Sequence, residues 1–266
     1  MLRRIIPLPL LAVVLALIMA LSAGCNERET RTFPIWQPDL QPPAKTYTAT
    51  PESTSELLKD SSDAVKAKYP SNEGVHFTLE SLTSGQGLPS SWRAEGDMNF
   101  PDRVKMTTRN FLSSEPVSED VIDLDGQVYI RSDATGGVWR GGASQLPVPD
   151  PRSIADYLDF TRSSRNFGQE TLPSGQKTWH VQVDVDTGML AAAAVNRTTG
   201  QEDAQRLDSM KSGSVSVDFW IGNDDRLPYQ MVVKTSRPDT PQTVQQTFIF
   251  SNWKEHAPIA RPCVDC

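Results

Sequence analysis

Apolar and polar residues alternate with a period of two along several segments of the chain. The alternation is most regular in residues 75–80, 92–100 and 177–186. In the last of these, Trp179 and Val183 fall on the apolar side, whereas His180 and Asp184 fall on the side expected to face solvent. A strand with one buried face produces this period. Further strands are predicted around residues 104–106, at 121–124, 128–131 and 138–139, and over 214–222, 227–236 and 243–253.

Other segments show a helical spacing instead. After Ser53 or Thr54, which can cap a helix, apolar residues recur at three- and four-residue intervals until Pro70, which is expected to end it. Residues 150–160, 188–195 and 201–211 also suit helices. Many antiparallel strands against a few helices predict an α+β fold.

A single long apolar run precedes all of these elements. Arg3 and Arg4 begin it, residues 5–21 carry no charge, and it ends in the sequence LSAGC at Cys25. Small residues directly before a cysteine are typical of a bacterial lipobox, in which the cysteine sulfur is acylated and the chain is cut before it. We therefore predict a lipoprotein signal peptide over residues 1–24 and a lipid-anchored Cys25 on the extracytoplasmic face of the cell membrane. The alternative is an ordinary signal peptide, or an uncleaved anchor, with an incidental cysteine.

Composition then sets the domain organisation. Residues 25–52 are rich in proline and threonine without any period, which predicts an extended tether. Residues 53–262 form one domain of ordinary globular composition, and residues 263–266 form a short tail. A formal net charge of −7 argues against nucleic acid as a partner.

The sequence contains none of the common motifs of an enzyme active site. Its three histidines show no metal-binding spacing, and no nucleophile elbow, phosphate loop or dinucleotide fingerprint occurs. Asp184 and Asp186 could in principle hold calcium, but solvated charges on a strand are far commoner. We predict no catalytic activity, no metal and no cofactor.

The tail ends in CVDC, which pairs Cys263 with Cys266. Such a pair can be a redox motif, half of a zinc site or a structural disulfide. No second cysteine pair or histidine cluster completes a zinc site. Because an exported chain meets an oxidising environment, we predict a Cys263–Cys266 disulfide without a catalytic role.

The order of these features resembles a known family. The lipobox and tether are followed by ELLKDSSDAVKA, GVHFTLE, DLDGQVYIR, DPRSIADYL, VDFWIGNDDRLPYQMVVKT and FIFSNWKEHAPIARP. Over residues 54–262 this is similar to the LppX/LprAFG lipoproteins of mycobacteria and related bacteria, which share a fold with the LolA and LolB carriers. The resemblance implies a curved antiparallel half-barrel whose concave face is covered by helices. The CVDC tail and the proline-rich tether depart from that pattern.

The resemblance also implies a ligand site. Acyl chains of a lipid or glycolipid would lie between sheet and helices, and an envelope transporter would be a partner in transfer. From alternation alone, a dry core is the simpler interpretation of the inward residues, and the alternative function is a non-catalytic envelope sensor or scaffold with a filled core. The residues predicted to line the cavity are Phe77, Leu79, Ala94, Gly96, Met98, Phe100, Trp179, Val181, Val183, Phe219, Met231 and Phe248.

Overall fold

The computed structural model describes residues 53–71, 73–85, 90–110, 117–142, 144, 146–237 except 196–212, 240–254 and 258–264. All of them belong to one compact unit, residues 47–266. The predicted signal peptide, Cys25 and the tether lie outside the described residues, as do the predicted helix at 201–211 and Cys266.

A single antiparallel sheet organises the described residues. Its eleven strands lie in the order β6-β5-β4-β3-β2-β1-β11-β10-β9-β8-β7, so the first and last of these strands in chain order pair at its centre. The sheet is curved and unclosed, which confirms the predicted α+β class. The strands are β1 Gly74–Ser84, β2 Ser90–Asn99, β3 Arg103–Asn110, β4 Val117–Leu124, β5 Gln127–Ser132, β6 Arg140–Gly141, β7 Thr161–Thr171, β8 Lys177–Val185, β9 Ser214–Gly222, β10 Pro228–Arg237 and β11 Thr240–Lys254.

The described residues form three α-helices, α1 Thr54–Lys66, α2 Ser153–Asp159 and α3 Thr187–Val195. Ser53 caps α1, because its Oγ accepts a hydrogen bond from the Glu56 amide at 3.2 Å. The helix ends at Lys66, a turn before Pro70. All three helices supply apolar side chains to the buried cluster that they share with the sheet.

Among the described residues, tight turns connect β4 to β5 and β9 to β10. The turn between β4 and β5 passes through Asp125 and Gly126, both with positive φ of 56° and 83°. Two consecutive left-handed residues match the right-handed twist of a hairpin, and Asp-Gly is a preferred pair for them. The sequence DLDGQ therefore forms the hairpin turn between the strands predicted at 121–124 and 128–131.

Two strands differ from the sequence prediction. The short strand expected at 138–139 is β6 at Arg140–Gly141, with Trp139 in an isolated bridge beside it. β7 was not predicted, because TRSSRNFGQET has no apolar alternation and is largely exposed. β7 is an edge strand that pairs only with β8 among the described residues, so backbone pairing rather than burial of a side-chain face defines it.

The C-terminal residues pack against the outer face of the sheet. Ile259 is buried with Ile122 and Tyr129, and its amide donates to Asn99 Oδ1 at 3.3 Å. Val264 forms a parallel bridge with Trp139. Residues 259–264, called the docked tail below, therefore cover apolar residues of β4 and β5 that would otherwise face solvent.

Cys263 lies within this docked tail and is disulfide-bonded. Its predicted partner, Cys266, is outside the described residues, so the pairing stays a prediction. A bridge across so few residues removes less unfolded-state entropy than one across a long loop. We expect it to fix the end of the tail rather than to support the whole domain.

Thiol counting on the denatured, unreduced chain tests this pairing. We expect no reactive thiol from Cys263 or Cys266 in freshly exported protein. The Cys263→Ser variant is the control, because it should expose the thiol of Cys266 to the reagent. Two reactive thiols in the wild-type tail would show that the bridge is wrong.

Candidate functional site

The inner face of the sheet carries the residues predicted to line a cavity. Apart from Gly96, all of them are buried and belong to one contiguous cluster with residues of the helices. These residues are Phe77, Leu79, Ala94, Met98, Phe100, Trp179, Val181, Val183, Phe219, Met231 and Phe248. A lipid-filled interior and a dry core both require apolar residues there.

One row of cross-strand partners runs over most of this face. Directly opposed residues on antiparallel strands share a face, so the register identifies the row. In order across the sheet it comprises Ser132, Glu119, Thr108, Ala94, Leu79, Phe248, Met231, Phe219, Val181 and Asn166. The row is apolar at its centre and polar towards both edges of the sheet.

The helices cover this face with their own apolar stripes. Leu57 and Val65 of α1 are fully buried. Ile154 and Leu158 of α2 are only 1% and 4% exposed. Leu190 extends the same cluster from α3. The site is therefore an apolar layer between one sheet and three helices.

Gly96, also predicted to line the cavity, lies on the inner face and has a structural role. It pairs with Phe77 and Met106 on the inner face, but a Cβ atom at this position would overlap the backbone carbonyl oxygen of Lys105. Gly96 thus permits close approach of β2 and β3. A large side chain there would disrupt strand pairing instead of occupying ligand space.

Sequence reasoning missed a buried carboxyl group on the inner face. Glu119 lies opposite Thr108 and is 6% exposed, with Ser144 Oγ donating to its Oε2 at 2.8 Å. The predicted strand began only at residue 121. The acidic start of β4 gave no apolar alternation from which Glu119 could be placed inward.

The outer face contains a second polar group of residues that the sequence did not predict. His180 lies between Glu170 and Asp218, with Nδ1 3.2 Å from Glu170 Oε1 and Nε2 3.2 Å from Asp218 Oδ1. The rings of Phe167 and Trp220 stack on the imidazole, with centroids 4.7 and 4.3 Å away. We call these five residues the His180 cluster.

The His180 cluster is buried although the alternation predicted that His180 would face solvent. His180 and Asp218 are each 7% exposed. His180 is on the outer face, as predicted, but the neighbouring aromatic rings exclude water from it. The prediction of solvent exposure was wrong because alternation specifies a face and not what covers that face.

Further hydrogen bonds complete the His180 cluster. Trp220 Nε1 donates to Glu170 Oε2 at 3.0 Å, and Gln182 Nε2 donates to Asp218 Oδ1 at 3.2 Å. Burial alone would raise the pKa of Asp218, but the hydrogen bond from His180 and the charge of Lys234 outweigh it and hold this pKa below its ordinary value.

The two acidic residues considered for calcium, Asp184 and Asp186, accept hydrogen bonds from different groups. Asp184 accepts from Ser163 Oγ at 2.7 Å, whereas Asp186 accepts from the Met189 amide at the start of α3. In the turn after β9, Asp225 accepts from the Tyr229 hydroxyl, and burial together with this bond raises the pKa of Tyr229. Within the described part of the chain, no group of three potential metal ligands occurs.

No helix among the described residues has the length and apolar character to cross a bilayer. No protein-family model matches the sequence, and no curated protein matches it.

Several solved structures are similar to the chain. LprF from Mycobacterium bovis is 15% identical, with 78% of this chain and 96% of that chain covered and a TM-score of 0.47. The LolA superfamily protein NE2245 from Nitrosomonas europaea is 7% identical, with 78% and 96% covered and a TM-score of 0.35. The MucA/MucB complex of Pseudomonas aeruginosa is 13% identical, with 77% and 58% covered and a TM-score of 0.33. The first two are proteins of the kind that the sequence resembles.

Proposed function

We propose that this chain is a membrane-anchored lipoprotein that binds lipids, or lipidated molecules, between its sheet and its helices and transfers them across the cell envelope. The observation that carries the proposal is the apolar inner face of a large open sheet, which is covered by three helices and, among the described residues, by no second sheet. A helix can move relative to a sheet without breaking strand pairing, so such an interior can admit a chain-like ligand. The residues proposed as its lining are those of the inner face.

The energetics suit this function without a catalytic group. Removing an acyl chain from water contributes about 0.8 kcal/mol for each buried methylene. A protein that only needs to shield such chains requires apolar area and an entrance, not reactive side chains. An anchor at Cys25 would keep the protein beside the membrane that supplies or receives the lipid, on its extracytoplasmic face.

The alternative is a sensor or scaffold whose interior is completely filled by its own side chains. Its support is that inner-face and helical side chains already form one contiguous buried cluster. The two functions differ in what the interior contains when the protein is isolated, and in how it tolerates added volume.

Enlarging Ala94 tests the two functions against each other. Ala94 is 5% exposed and lies at the centre of the inner-face row, so a tryptophan there would compete with a ligand for space. We expect Ala94→Trp to lower the lipid recovered per protein by about fivefold or more, equivalent to about 1 kcal/mol of binding. The measurement is mass spectrometry of organic extracts from gently purified protein.

The matched control is Glu95→Trp, because Glu95 is the next residue of β2 and is exposed on the opposite face. It should leave both lipid content and stability unchanged. In a filled core, Ala94→Trp would instead cost about 1–3 kcal/mol of unfolding free energy through overpacking. That loss, together with wild-type protein that carries no lipid, would favour the scaffold.

A further inference from the structure

Two buried polar groups on the elements that enclose the interior lack hydrogen-bond partners. Among the described residues, the buried side-chain atoms without a partner are Ser61 Oγ, Asn166 Nδ2 and Asn223 Oδ1. Ser61 belongs to α1 and Asn166 to β7, whereas Asn223 lies in the turn after β9. An orphaned buried polar group costs about 1–3 kcal/mol, so each one needs a physical explanation.

Ser61 faces the layer between α1 and the sheet. Leu57, Ser61 and Val65 are spaced four residues apart and are all 0% exposed, so they form the most buried stripe of the helix. Leu57 and Val65 pack in the same cluster as the inner face of the sheet. The adjacent Ser62 points elsewhere, because its Oγ donates to Asp159 of α2 at 2.6 Å.

Asn166 presents a donor to the same interior. It pairs with Val181, an inner-face residue that is 0% exposed, so its side chain is on the inner side of the sheet. Its Oδ1 accepts from the Gly168 amide at 2.8 Å, which fixes the orientation of the carboxamide. The unpartnered Nδ2 is therefore a true donor.

We propose that the Ser61 hydroxyl and the Asn166 amide donate hydrogen bonds to ester carbonyl oxygens of a bound acyl lipid. The proposal rests on the proposed lipid-binding function and specifies its ligand class. An ester supplies acceptors within an otherwise apolar body, and a diacyl lipid has two such carbonyls. A fatty-acid carboxylate fits less well, because the buried residues of the described chain include no lysine or arginine to pair with its charge.

A matched pair of short-chain lipids isolates this interaction. Dioctanoyl phosphatidylglycerol and its dioctyl ether analogue share head group and chain length, but the ether lacks both carbonyl oxygens. We expect the purified full chain to bind the ester about three- to tenfold more tightly by calorimetry, the range that a net hydrogen bond or two provides. Ser61→Ala should reduce this preference severalfold and leave ether binding unchanged.

Ser62→Ala is the control, since it removes a buried hydroxyl that is already bonded to Asp159. It should keep the full ester preference, whatever it does to stability. Asn166→Asp retains the acceptor for the Gly168 amide but replaces the free donor with an acceptor, and it should also lower the preference.

The outcomes separate the two proposals. If wild-type protein binds neither lipid, the lipid-binding function fails and this inference fails with it. If the ester and the ether bind equally well, or if Ser61→Ala keeps the full preference, the carbonyl contacts are wrong while lipid binding stands. If Ser61→Ala weakens both lipids alike, Ser61 is structural and the inference is overturned.

Discussion

Replacing His180 with phenylalanine is expected to lower the free energy of unfolding by about 3 kcal/mol, because a hydrogen bond to a charged group contributes about 1.5–3 kcal/mol and two carboxylates contact this imidazole. The new ring would still stack between Phe167 and Trp220, but Glu170 and Asp218 would lose a donor in a site shielded from water. The effect is not larger because Trp220, Gln182 and Lys234 still contact the two carboxylates. Urea unfolding followed by tryptophan fluorescence would measure it.

His76 provides the matched control. Its Nδ1 lies 2.9 Å from Asp97 and its Nε2 lies 3.5 Å from Glu95, so it too sits between two carboxylates. Its side chain is 30% exposed and that of Glu95 is 71% exposed, so water screens the interactions. We expect His76→Phe to cost less than about 1 kcal/mol. Equal losses for the two variants would contradict the argument that burial makes the His180 cluster important.

The pH dependence of stability gives a second check. The pKa of Asp218 is lower in the folded chain than its ordinary value. Its ionised form therefore stabilises the fold above the unfolded pKa of about 4, and this contribution is lost as the pH falls through the lower, folded pKa. Because His180 is one cause of the shift, the stability of His180→Phe should decline less steeply with acid than that of the wild type.

The sequence predicts strands well where one face is apolar. Trp179, Val181 and Val183 alternate with polar residues, and all three lie on the buried inner face of β8. Hydrophobic burial acts on every second residue of such a strand, so it leaves a period that can be recognised without knowing the partner strands. The predicted elements at the centre of the sheet are therefore confirmed.

β7 and the His180 cluster lie beyond that kind of reasoning. β7 is held by pairing with β8 and carries few apolar residues, so its sequence contains no period to detect. The cluster depends on register, because Glu170 and Asp218 lie 10 and 38 residues from His180 along the chain. Strand register follows from the packing of the whole sheet, which one sequence does not specify.

The two faces of the sheet thus contribute differently to the proposed function. On the outer face, the His180 cluster links β7, β8 and β9 near one edge, and the C-terminal tail covers β4 and β5 towards the other. These outer-face contacts stabilise the sheet near both of its edges. The inner face is then available to the helices and to a ligand. This arrangement predicts that variants of the His180 cluster and of the docked C-terminal residues change stability, whereas Ser61 and Ala94 variants change what is bound.

Replacing Cys25 with serine is expected to move the protein from almost entirely membrane-bound to almost entirely unanchored, or to leave it as an uncut precursor. The basis is the uncharged run that ends in small residues before Cys25. A diacylglyceryl group supplies two acyl chains, and two chains suffice for stable anchoring where one gives only marginal binding. Serine offers no sulfur for that attachment.

Cell fractionation with intact-mass measurement would detect the change. The control is Cys263→Ser, which alters a cysteine of the tail instead and should remain anchored. A wild-type protein whose mature N-terminus is another residue, without added acyl mass, would show that Cys25 is not the anchor, and the protein would then need another way to stay beside the membrane whose lipids it is proposed to bind.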